Sequence, residues 1–547
     1  VKDFMTTQST TKILVADDLS ARGIELLQAT PGFSVDVKVG LKPDALQEII
    51  GGYHGLAVRS ATKVDSALLA RATNLKVVGR AGIGVDNIDV PSASRRGIIV
   101  MNTPGGNAVT TAEHAICLLA SLVRQIPQAT ASMKAGKWEK KKFAAGIELA
   151  DKVLGVVGLG NIGRIVADRA IGLKMRVVAY DPFVTEEAAA RLGVQLASLD
   201  DVLARADFVT IHVPFLNETK GLVNAAAIAK MKKGALLVNA SRGGIVDEEA
   251  LLAALTSGHL GGAALDVFSV EPPVGSPLPG LDNVICTPHL GASTEEAQEK
   301  VAIEVAEQLV AFFTRGEVRN AVNMAPVSVE AMPRMAPFLE LAGRIGSLVG
   351  QLSPEGVNEL EVEIGGEVGE LGVAPIVRTA LVGFLKTHLE PPVNEVNAPL
   401  LAKERSIHVV ETKKSTGGDY TSWLAVRARG RGGERYVKGT VFAAAAAGPE
   451  PRLVQVDDFL LEAVPEGQII VIRNDDRPGV IGSVGTLLGG RGINVSRMQV
   501  GLVRSRHEAL MLWNVDAEEQ SSSPVGEDIL EAVRKLAHVK SAFRVSL

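Results

Sequence analysis

With only Cys117 and Cys286 among its 547 residues, the chain has no material for a disulfide framework. Each cysteine lies inside an apolar run, so the expectation is two buried free thiols in a reducing compartment, the cytoplasm. No apolar run reaches the ~18 residues a membrane span needs. The opening VKDFMTTQSTTK also lacks the apolar core of a secretion signal. The 9 histidines are scattered, no H-E-x-x-H occurs and the cysteines do not cluster, so no metal is expected. Nor is there an excess of one charge. Lys and Arg number 57 against 62 Asp and Glu, a net charge of -5, so neither nucleic acid nor an acidic membrane is expected as a partner. The 56 glycines follow no collagen-like period.

What is there is a hydrophobic share of 46% in a chain too long for one domain, which implies three or four ordinary globular domains. They can be placed relative to residues 154–181, LGVVGLGNIGRIVADRAIGLKMRVVAYD. Leu154, Val156 and Val157 read as a strand, and Gly158, Gly160 and Gly163 have the G-x-G-x-x-G spacing. A helical pattern of Ile162, Val166, Ala167 and Ala170 follows, then a strand over 177–180 that ends on Asp181. Gly158 allows the turn, Gly160 lets backbone approach a pyrophosphate, Gly163 permits close packing, and the helix N-terminus offers its free N–H groups to the phosphates. Asp181 would accept hydrogen bonds from the ribose hydroxyls and repel a 2′-phosphate, favouring NAD over NADP.

Around this unit, strands at 13–16, 34–37, 55–58, 76–78 and 98–100, with helices near 24, 46 and 67, predict a parallel α/β domain. Ligands bind at the carboxyl ends of parallel strands, so the loops at Arg59-Ser60 and 79–84 are site candidates, although Arg59 or Arg80 alone reads equally well as a surface arginine. Thr110 or Thr111 is expected to cap a helix running to Val123. Strands at 208–211, 235–239, 262–266 and 283–286 complete a doubly wound sheet, and a helix over about 294–313 is expected to pack back on the first domain. Prolines at 326, 333, 337, 354, 375, 391, 392 and 399 then punctuate an α+β domain over about 325–460. Its ARGRGGER at 428–435 reads as a hairpin turn rather than an RNA-binding tail. From Gln468 the order is β-α-β-β-α-β, that of a small ferredoxin-like domain.

Three groups at predicted strand ends carry the chemistry. They are NASRGG at 239–244, DVFSVEP at 266–272 and TPHLG at 287–291. Oxidation of a secondary alcohol needs a base for the hydroxyl proton, a role that fits His289. Glu271 is its natural carboxylate partner, and Arg242 offers the planar double donor that a substrate carboxylate requires. His114, on an apolar helix, and His212, bordering the adenosine half, are the alternatives for the base.

These motifs, with GRAGIGVDNID at 79–89, NTPGGNAVTTAEH at 102–114 and HVPFLNETKGL at 212–222, make residues 12–320 resemble the D-isomer-specific 2-hydroxyacid dehydrogenases in family order. NEVNAPLLAKERSI at 394–407, YVKGTVF at 436–442 and DDRPGVIGSVGTLLGGRGINVSRM at 475–498 resemble the intervening and ACT domains of the long-form members. The resemblance implies a Rossmann-type NAD domain, 102–286, inserted in a flavodoxin-like substrate domain made of 12–101 and 287–320. An α+β intervening domain at 321–460 and an ACT regulatory domain at 467–547 follow.

It also implies roles. His289, Glu271 and Arg242 would be the catalytic trio, and Gly158, Gly160, Asn161, Ile162, Gly163 and Asp181 would hold the cofactor. His212, Thr219, Ala240 and Asp266 would meet the cofactor too, Asp266 at the nicotinamide amide, while Val213 offers no side-chain hydrogen bond. Arg59, Ser60 and Asn107 resemble contacts to a phosphorylated acid, and Gly82, Ile83 and Gly84 a backbone cradle for its carboxylate. Trp138 and Lys140 resemble residues that reach a neighbouring subunit. Asp476 and Asn494 match effector positions, Asn474 standing where His or Tyr is common. The implied reaction is NAD-dependent oxidation of 3-phospho-D-glycerate to 3-phosphohydroxypyruvate in a homotetramer, at the entry to serine biosynthesis, with L-serine as feedback effector. The alternatives are a dehydrogenase for another D-2-hydroxyacid, such as 2-hydroxyglutarate or glyoxylate chemistry, and a non-catalytic NAD-binding corepressor. Deleting 468–547 is expected to remove amino-acid control and keep the chemistry.

Overall fold

Short aliphatic runs separated by amphipathic helices set the architecture of the amino-terminal part. The computed structural model describes residues 10–325, 331–353, 356–389, 392–414, 419–444, 448–516 and 525–547. The first nine residues, which hold most of the VKDFMTTQSTTK stretch, and Pro326, Pro354 and Pro391 lie outside them. The chain folds as two units, one made of residues up to 63, 78–88 and 101–320, the other of 64–77, 89–100 and 321–547.

In the first unit, β1 (Thr11–Val15), β2 (Phe33–Val37), β3 (Gly55–Val58), β4 (Val77–Arg80) and β5 (Ile99–Asn102) belong to a sheet ordered β2-β1-β3-β4-β5. β1 runs parallel to both neighbours, with Ile13 opposite Val35 and Gly55. This is the flavodoxin-like order. The second sheet contains β6 (Val153–Val157), β7 (Arg176–Tyr180), β8 (Gln195–Leu196), β9 (Phe208–Ile211), β10 (Leu236–Asn239), β11 (Gly262–Leu265) and β12 (Val284–Cys286). Its order, β12-β11-β10-β9-β6-β7-β8, reverses direction between β6 and β9. That is the doubly wound topology, with a crevice at the carboxyl ends where the order reverses.

The helix Glu295–Arg315 returns to the first sheet. Thr294 Oγ1 accepts from the Ala297 amide at 3.2 Å, acidic residues fill its first turn, and Gly316 ends it at φ +66°. Its contact with the sheet and with the helix Ala21–Gln28 is close. A Cβ at Gly79 would lie 2.6 Å from Val305 Cγ2, and one at Gly23 would lie 2.5 Å from the Ala302 carbonyl oxygen.

Two local expectations need correction. The helix Ala108–Arg124 begins before Thr110, with Asn107 at its cap position and no side-chain cap. Thr111 instead donates to the Asn107 carbonyl at 3.0 Å from within the first turn. Gly106 lets the chain start early by packing on Val301, where a Cβ would come within 2.5 Å of Cγ1. Cys117 is exposed rather than buried, because the buried stripe of this helix runs through Ala115, Leu118, Leu119 and Leu122. A short helix, Val90–Arg95, was not expected at all.

The second unit has two sheets. β13 (Val357–Gly366), β14 (His408–Lys414), β15 (Ser422–Gly430), β16 (Gly433–Ala444), β17 (Gly448–Val456) and β18 (Phe459–Ala463) form one ordered β14-β13-β15-β16-β17-β18. The expected hairpin turn joins β15 to β16, with Gly430 opposite Gly433. β19 (Gln468–Asp475), β20 (Asn494–Val503), β21 (Glu508–Asp516) and β22 (Val539–Ser546) form the other, ordered β20-β21-β19-β22. With the helices Val480–Gly490 and Glu527–Arg534 it has the β-α-β-β-α-β order expected from Gln468 onward.

This carboxyl-terminal sheet is apolar on both faces. Ile470, Ile472, Met511 and Trp513 pack under its own helices. Ile469, Val471, Leu510, Leu512 and Val545 instead join one core with Leu341, Ile345 and Leu348 of the helix Met332–Leu352. Arg344 also donates to the Pro465 carbonyl at 2.8 Å and Gln351 to that of Ser546 at 2.9 Å. The expectation that residues 468–547 can be removed cleanly therefore meets a shared core. Among the described residues no helix is long and apolar enough to cross a membrane.

Candidate active site

The carboxyl ends of the first two sheets line a cleft of about 900 Å³ that contains Arg59, Ser60, Gly82, Asn107, Arg242, Glu271 and His289. That size suits a small ligand together with part of a cofactor. The expected catalytic trio thus meets most of the expected substrate contacts in one place, brought together from strand-end loops far apart in sequence.

His289 Nδ1 donates to Glu271 Oε2 at 2.8 Å. A carboxylate accepts only, so this bond fixes the proton on Nδ1 and leaves the Nε2 lone pair for a substrate hydroxyl. Glu271 is held in turn by the Phe268 amide, which donates to Oε1 at 3.1 Å. His289 has φ +55°, a left-handed conformation that costs a non-glycine residue on the order of 1 kcal/mol. Asp266 holds that turn in place. Its Oδ1 accepts from the Leu290 amide at 2.7 Å and from Thr287 Oγ1 at 2.6 Å, and its Oδ2 accepts from the Gly291 amide at 2.8 Å. Burial pushes the Asp266 carboxyl upward, yet the bonds from His114, Thr287 and the two amides outweigh it and hold the group below its ordinary range. With its side chain 1% exposed, Asp266 is committed to the loop that carries His289, and the nicotinamide contact expected of its carboxylate is not what the geometry favours. His114 is turned to the same carboxylate, Nε2 3.2 Å from Oδ1, and does not line the cleft. It is therefore a poor alternative base.

Arg242 Nε donates to Asp86 Oδ2 at 2.7 Å, and its Nη1 donates to the Ser241 carbonyl at 2.7 Å. Beside Arg59 and Arg242 the cleft holds Arg80, from the candidate loop 79–84, and two cations that sequence reasoning did not assign, Lys63 and Lys220. Against these five, the lining carboxylates are Asp86 and Glu271. Burial, with the charges of Arg242 and Arg59, brings the Arg80 guanidinium down to about 10, and its buried Nε has no hydrogen-bond partner among the described residues. The Asn107 Oδ1 is likewise buried and unpaired. The expected backbone cradle is only partly available. The Gly82 amide donates to Thr103 Oγ1 at 2.6 Å, the Ile83 carbonyl accepts from Asn102 at 2.6 Å, and Gly84 lies against Arg242.

The cofactor motif has the shape its spacing predicts. Gly158 has φ +95°, and a Cβ there would come within 2.8 Å of the His212 backbone. Gly160 faces open space, and a Cβ at Gly163 would lie 1.9 Å from the Gly158 carbonyl. The crevice between β6 and β9 can thus take a pyrophosphate against bare backbone at the helix that starts at Asn161, followed by Ile162. Asp181 accepts from the Leu159 amide at 2.8 Å and the Phe183 amide at 2.9 Å, one on each oxygen, leaving lone pairs for two hydroxyls. His212 bonds Thr210 Oγ1 through Nε2 at 2.8 Å and has a buried, unpaired Nδ1. Burial pushes its imidazole down to about 3, so it is neutral at working pH. These features fit a dinucleotide. Thr219 does not obviously share in it, because its hydroxyl donates to the Pro214 carbonyl at 2.6 Å and accepts from the Leu216 amide. Ala240 is a buried residue just after β10, and Val213 is half-buried. Trp138 is 79% exposed and Lys140 is exposed.

The effector positions do not meet within one chain. Asp476 follows Asp475, which pairs with Glu508, whereas Asn494 pairs with Asp516 at the other end of β21. At about 3.3 Å per residue the two lie roughly 26 Å apart. Asn474 is buried, with its Nδ2 donating to the Asp475 carbonyl.

Residues 116–291 match the model of the D-isomer specific 2-hydroxyacid dehydrogenase NAD binding domain. Residues 334–457 match the D-3-phosphoglycerate dehydrogenase intervening domain and 468–538 the ACT domain. The D-3-phosphoglycerate dehydrogenase of Synechocystis is 42% identical over 537 residues, 98% of this chain and 95% of the relative. That of Bacillus subtilis is 42% identical over 508 residues, 92% of this chain and 95% of the relative. Among solved structures, the TT0316 protein of Thermus thermophilus is 36% identical with TM-score 0.53, covering 57% of this chain and all of that one. The D-lactate dehydrogenase of Aquifex aeolicus, solved with NAD and lactic acid, is 26% identical with TM-score 0.51, covering 57% of this chain and 99% of that one.

Proposed function

We propose a reaction from one premise: the chain belongs to the D-3-phosphoglycerate dehydrogenase family. It is an NAD-dependent oxidoreductase of D-2-hydroxyacids. The proposed substrate is 3-phospho-D-glycerate, oxidised at C2 to 3-phosphohydroxypyruvate in the first step of L-serine biosynthesis. The observation that carries this reading is the charge of the cleft, five cations against two carboxylates around the His289–Glu271 pair. A substrate with a carboxylate at one end and a phosphate at the other needs that excess, whereas a small unphosphorylated 2-hydroxyacid needs only Arg242.

In this reading Arg242 turns its Nη edge to the C1 carboxylate and fixes C2 beside His289. His289 Nε2 takes the proton of the C2 hydroxyl, and Glu271 stabilises the resulting imidazolium through Nδ1. The C2 hydrogen leaves with its electron pair as the C=O bond forms, and NAD, when bound, supplies the acceptor for that hydride. Gly158, Gly160, Gly163 and Asp181 would hold it, and Arg59, Lys63 and Arg80 would receive the phosphate.

L-serine is proposed as an effector at Asp476 and Asn494. Since these residues lie at opposite ends of one sheet, a ligand touching both would bridge two copies of the chain, in keeping with a homotetramer. Two free cysteines, one of them exposed, accord with the cytoplasm.

The test is NADH oxidation with 3-phosphohydroxypyruvate, glyoxylate and 2-oxoglutarate, each with and without L-serine. Charge-assisted hydrogen bonds are worth about 1.5–3 kcal/mol each, so kcat/KM for the phosphorylated acid is expected to exceed that for glyoxylate at least ~10²-fold. Preference for an unphosphorylated acid would transfer the assignment to that substrate, and no turnover of any would favour the corepressor reading. Serine insensitivity would remove the effector alone.

A further inference from the structure

Arg242 is held by groups of the chain itself. Its Nε donates to Asp86 Oδ2 at 2.7 Å and its Nη1 to the Ser241 carbonyl at 2.7 Å. Its Nη2 rests where a Cβ on Gly84 would be, 1.6 Å from that position. The guanidinium is therefore fixed on its Nε side, against its own backbone and against a glycine that leaves room for it. What is left is the terminal edge formed by the remaining Nη hydrogens, the edge suited to a planar carboxylate.

Among the described residues, the side-chain partner of the Asp86 carboxylate is Arg242. Asp86 lies 156 residues before Arg242, in the loop after β4, while Arg242 follows β10 on the second sheet. The bond thus joins the two walls of the cleft. An unheld arginine would lose side-chain freedom on binding substrate. It would also be driven from the neighbouring Arg80 by like charge, a repulsion that Asp86 offsets. Resting on the reading that Arg242 binds the substrate carboxylate, we infer that Asp86 is a positioning residue for the reaction, holding Arg242 by Nε so that its Nη edge faces the acid to be oxidised.

The side chain of Asp86 is 53% exposed and that of Arg242 27%, and an ion pair in such surroundings adds little to folding stability. The effect of losing it should therefore fall on catalysis and leave the fold intact. Misplacement of a reacting group by about 1 Å costs on the order of 10²-fold.

The experiment compares Asp86→Ala, Asp86→Asn, Arg242→Lys and the double variant Asp86→Ala/Arg242→Lys in the full-length protein. It reads kcat and KM for 3-phosphohydroxypyruvate, NADH affinity by fluorescence, and oxalate binding to the NADH complex. Asp86→Ala is expected to lower kcat at least ~10-fold with NADH affinity within about twofold of the parent. Asp86→Asn keeps an oxygen for Nε and should retain kcat within about threefold. On the Arg242→Lys background, which has no Nε to hold, Asp86→Ala should cost less than about threefold, a non-additivity expected of residues acting through each other. An unchanged kcat in Asp86→Ala, an equal loss in Asp86→Asn, or the same loss on both backgrounds would overturn the inference. If the parent enzyme ignores the phosphorylated acid, the substrate reading fails by itself. The same comparison with glyoxylate, or with oxalate binding alone, still decides the role of Asp86.

Discussion

His289 lines the cleft beside Glu271, and what suits it to the proposed role of base lies in its neighbours. A TPHLG run after a strand was enough to single it out, because a histidine at the carboxyl end of a parallel strand faces the crevice. The sequence pattern did not reveal that the loop is tied down from behind by Asp266, or that Arg242 is tied by Asp86. Those pairs are separated by 24 and 156 residues, and no periodicity connects such positions. Lys63 and Lys220 were missed, and Arg80 was left undecided, for a similar reason, since one arginine or lysine on a loop reads as surface until the opposite wall is known. The Asp266 anchor predicts a specific phenotype. Asp266→Asn keeps one acceptor oxygen but turns an N–H group toward donors, leaving at least one buried donor unpaired at a cost of about 1–3 kcal/mol. We expect kcat to fall at least ~10-fold with NADH affinity within about threefold, measured by steady-state turnover and fluorescence titration. A larger loss of NADH affinity than of kcat would return Asp266 to the cofactor.

Strands fared better than helix starts among the elements. β3 and β9 fall where their aliphatic runs do, the two-residue β8 was not expected, and the other strands of the first unit differ from expectation by at most two residues at either end. The start of the helix Ala108–Arg124 was misplaced because Thr110 and Thr111 look like caps in a linear reading, whereas the glycines before Asn107 allow the turn to close earlier. The six-residue Val90–Arg95 helix is too short to show a period. The packing of Glu295–Arg315 on the first sheet makes one contact testable by its sign. Ala is favoured over Gly in a helix by about 1 kcal/mol, and Gly172, at the end of the helix Asn161–Gly172, has nothing within 4 Å of a new Cβ. Gly23 is also helical, but its Cβ would press on the Ala302 carbonyl, and overpacking costs about 1–3 kcal/mol. Thermal unfolding should therefore show Gly172→Ala neutral or stabilised and Gly23→Ala destabilised. Equal shifts in the two would mean that the helix contact is looser than its geometry.

At the scale of the whole molecule, three of the four sheets were legible from strand and helix patterns, the six-stranded sheet only as an α+β domain with one hairpin turn, and the dependence of the last sheet on its neighbour was not drawn from the sequence. The signal was present in QIIVIRND and EALMLWNV, whose apolar runs do not alternate. A sheet with helices on one face and water on the other would show every second residue polar, so an unbroken run means that both faces are covered. Removing residues 468–547 should accordingly expose Leu341, Ile345 and Leu348. We expect a several-fold rise in binding of the dye ANS and aggregation visible by light scattering. A monodisperse truncated protein that binds no more dye than its parent would show the two cores to be separable. The separation of Asp476 from Asn494 along β21 carries the last consequence. A ligand that must touch both has no binding site on a solitary chain, so its effect obeys mass action in the protein as well as in the ligand. Under the proposed scheme, a scarce enzyme would run unchecked at a serine level that silences an abundant one.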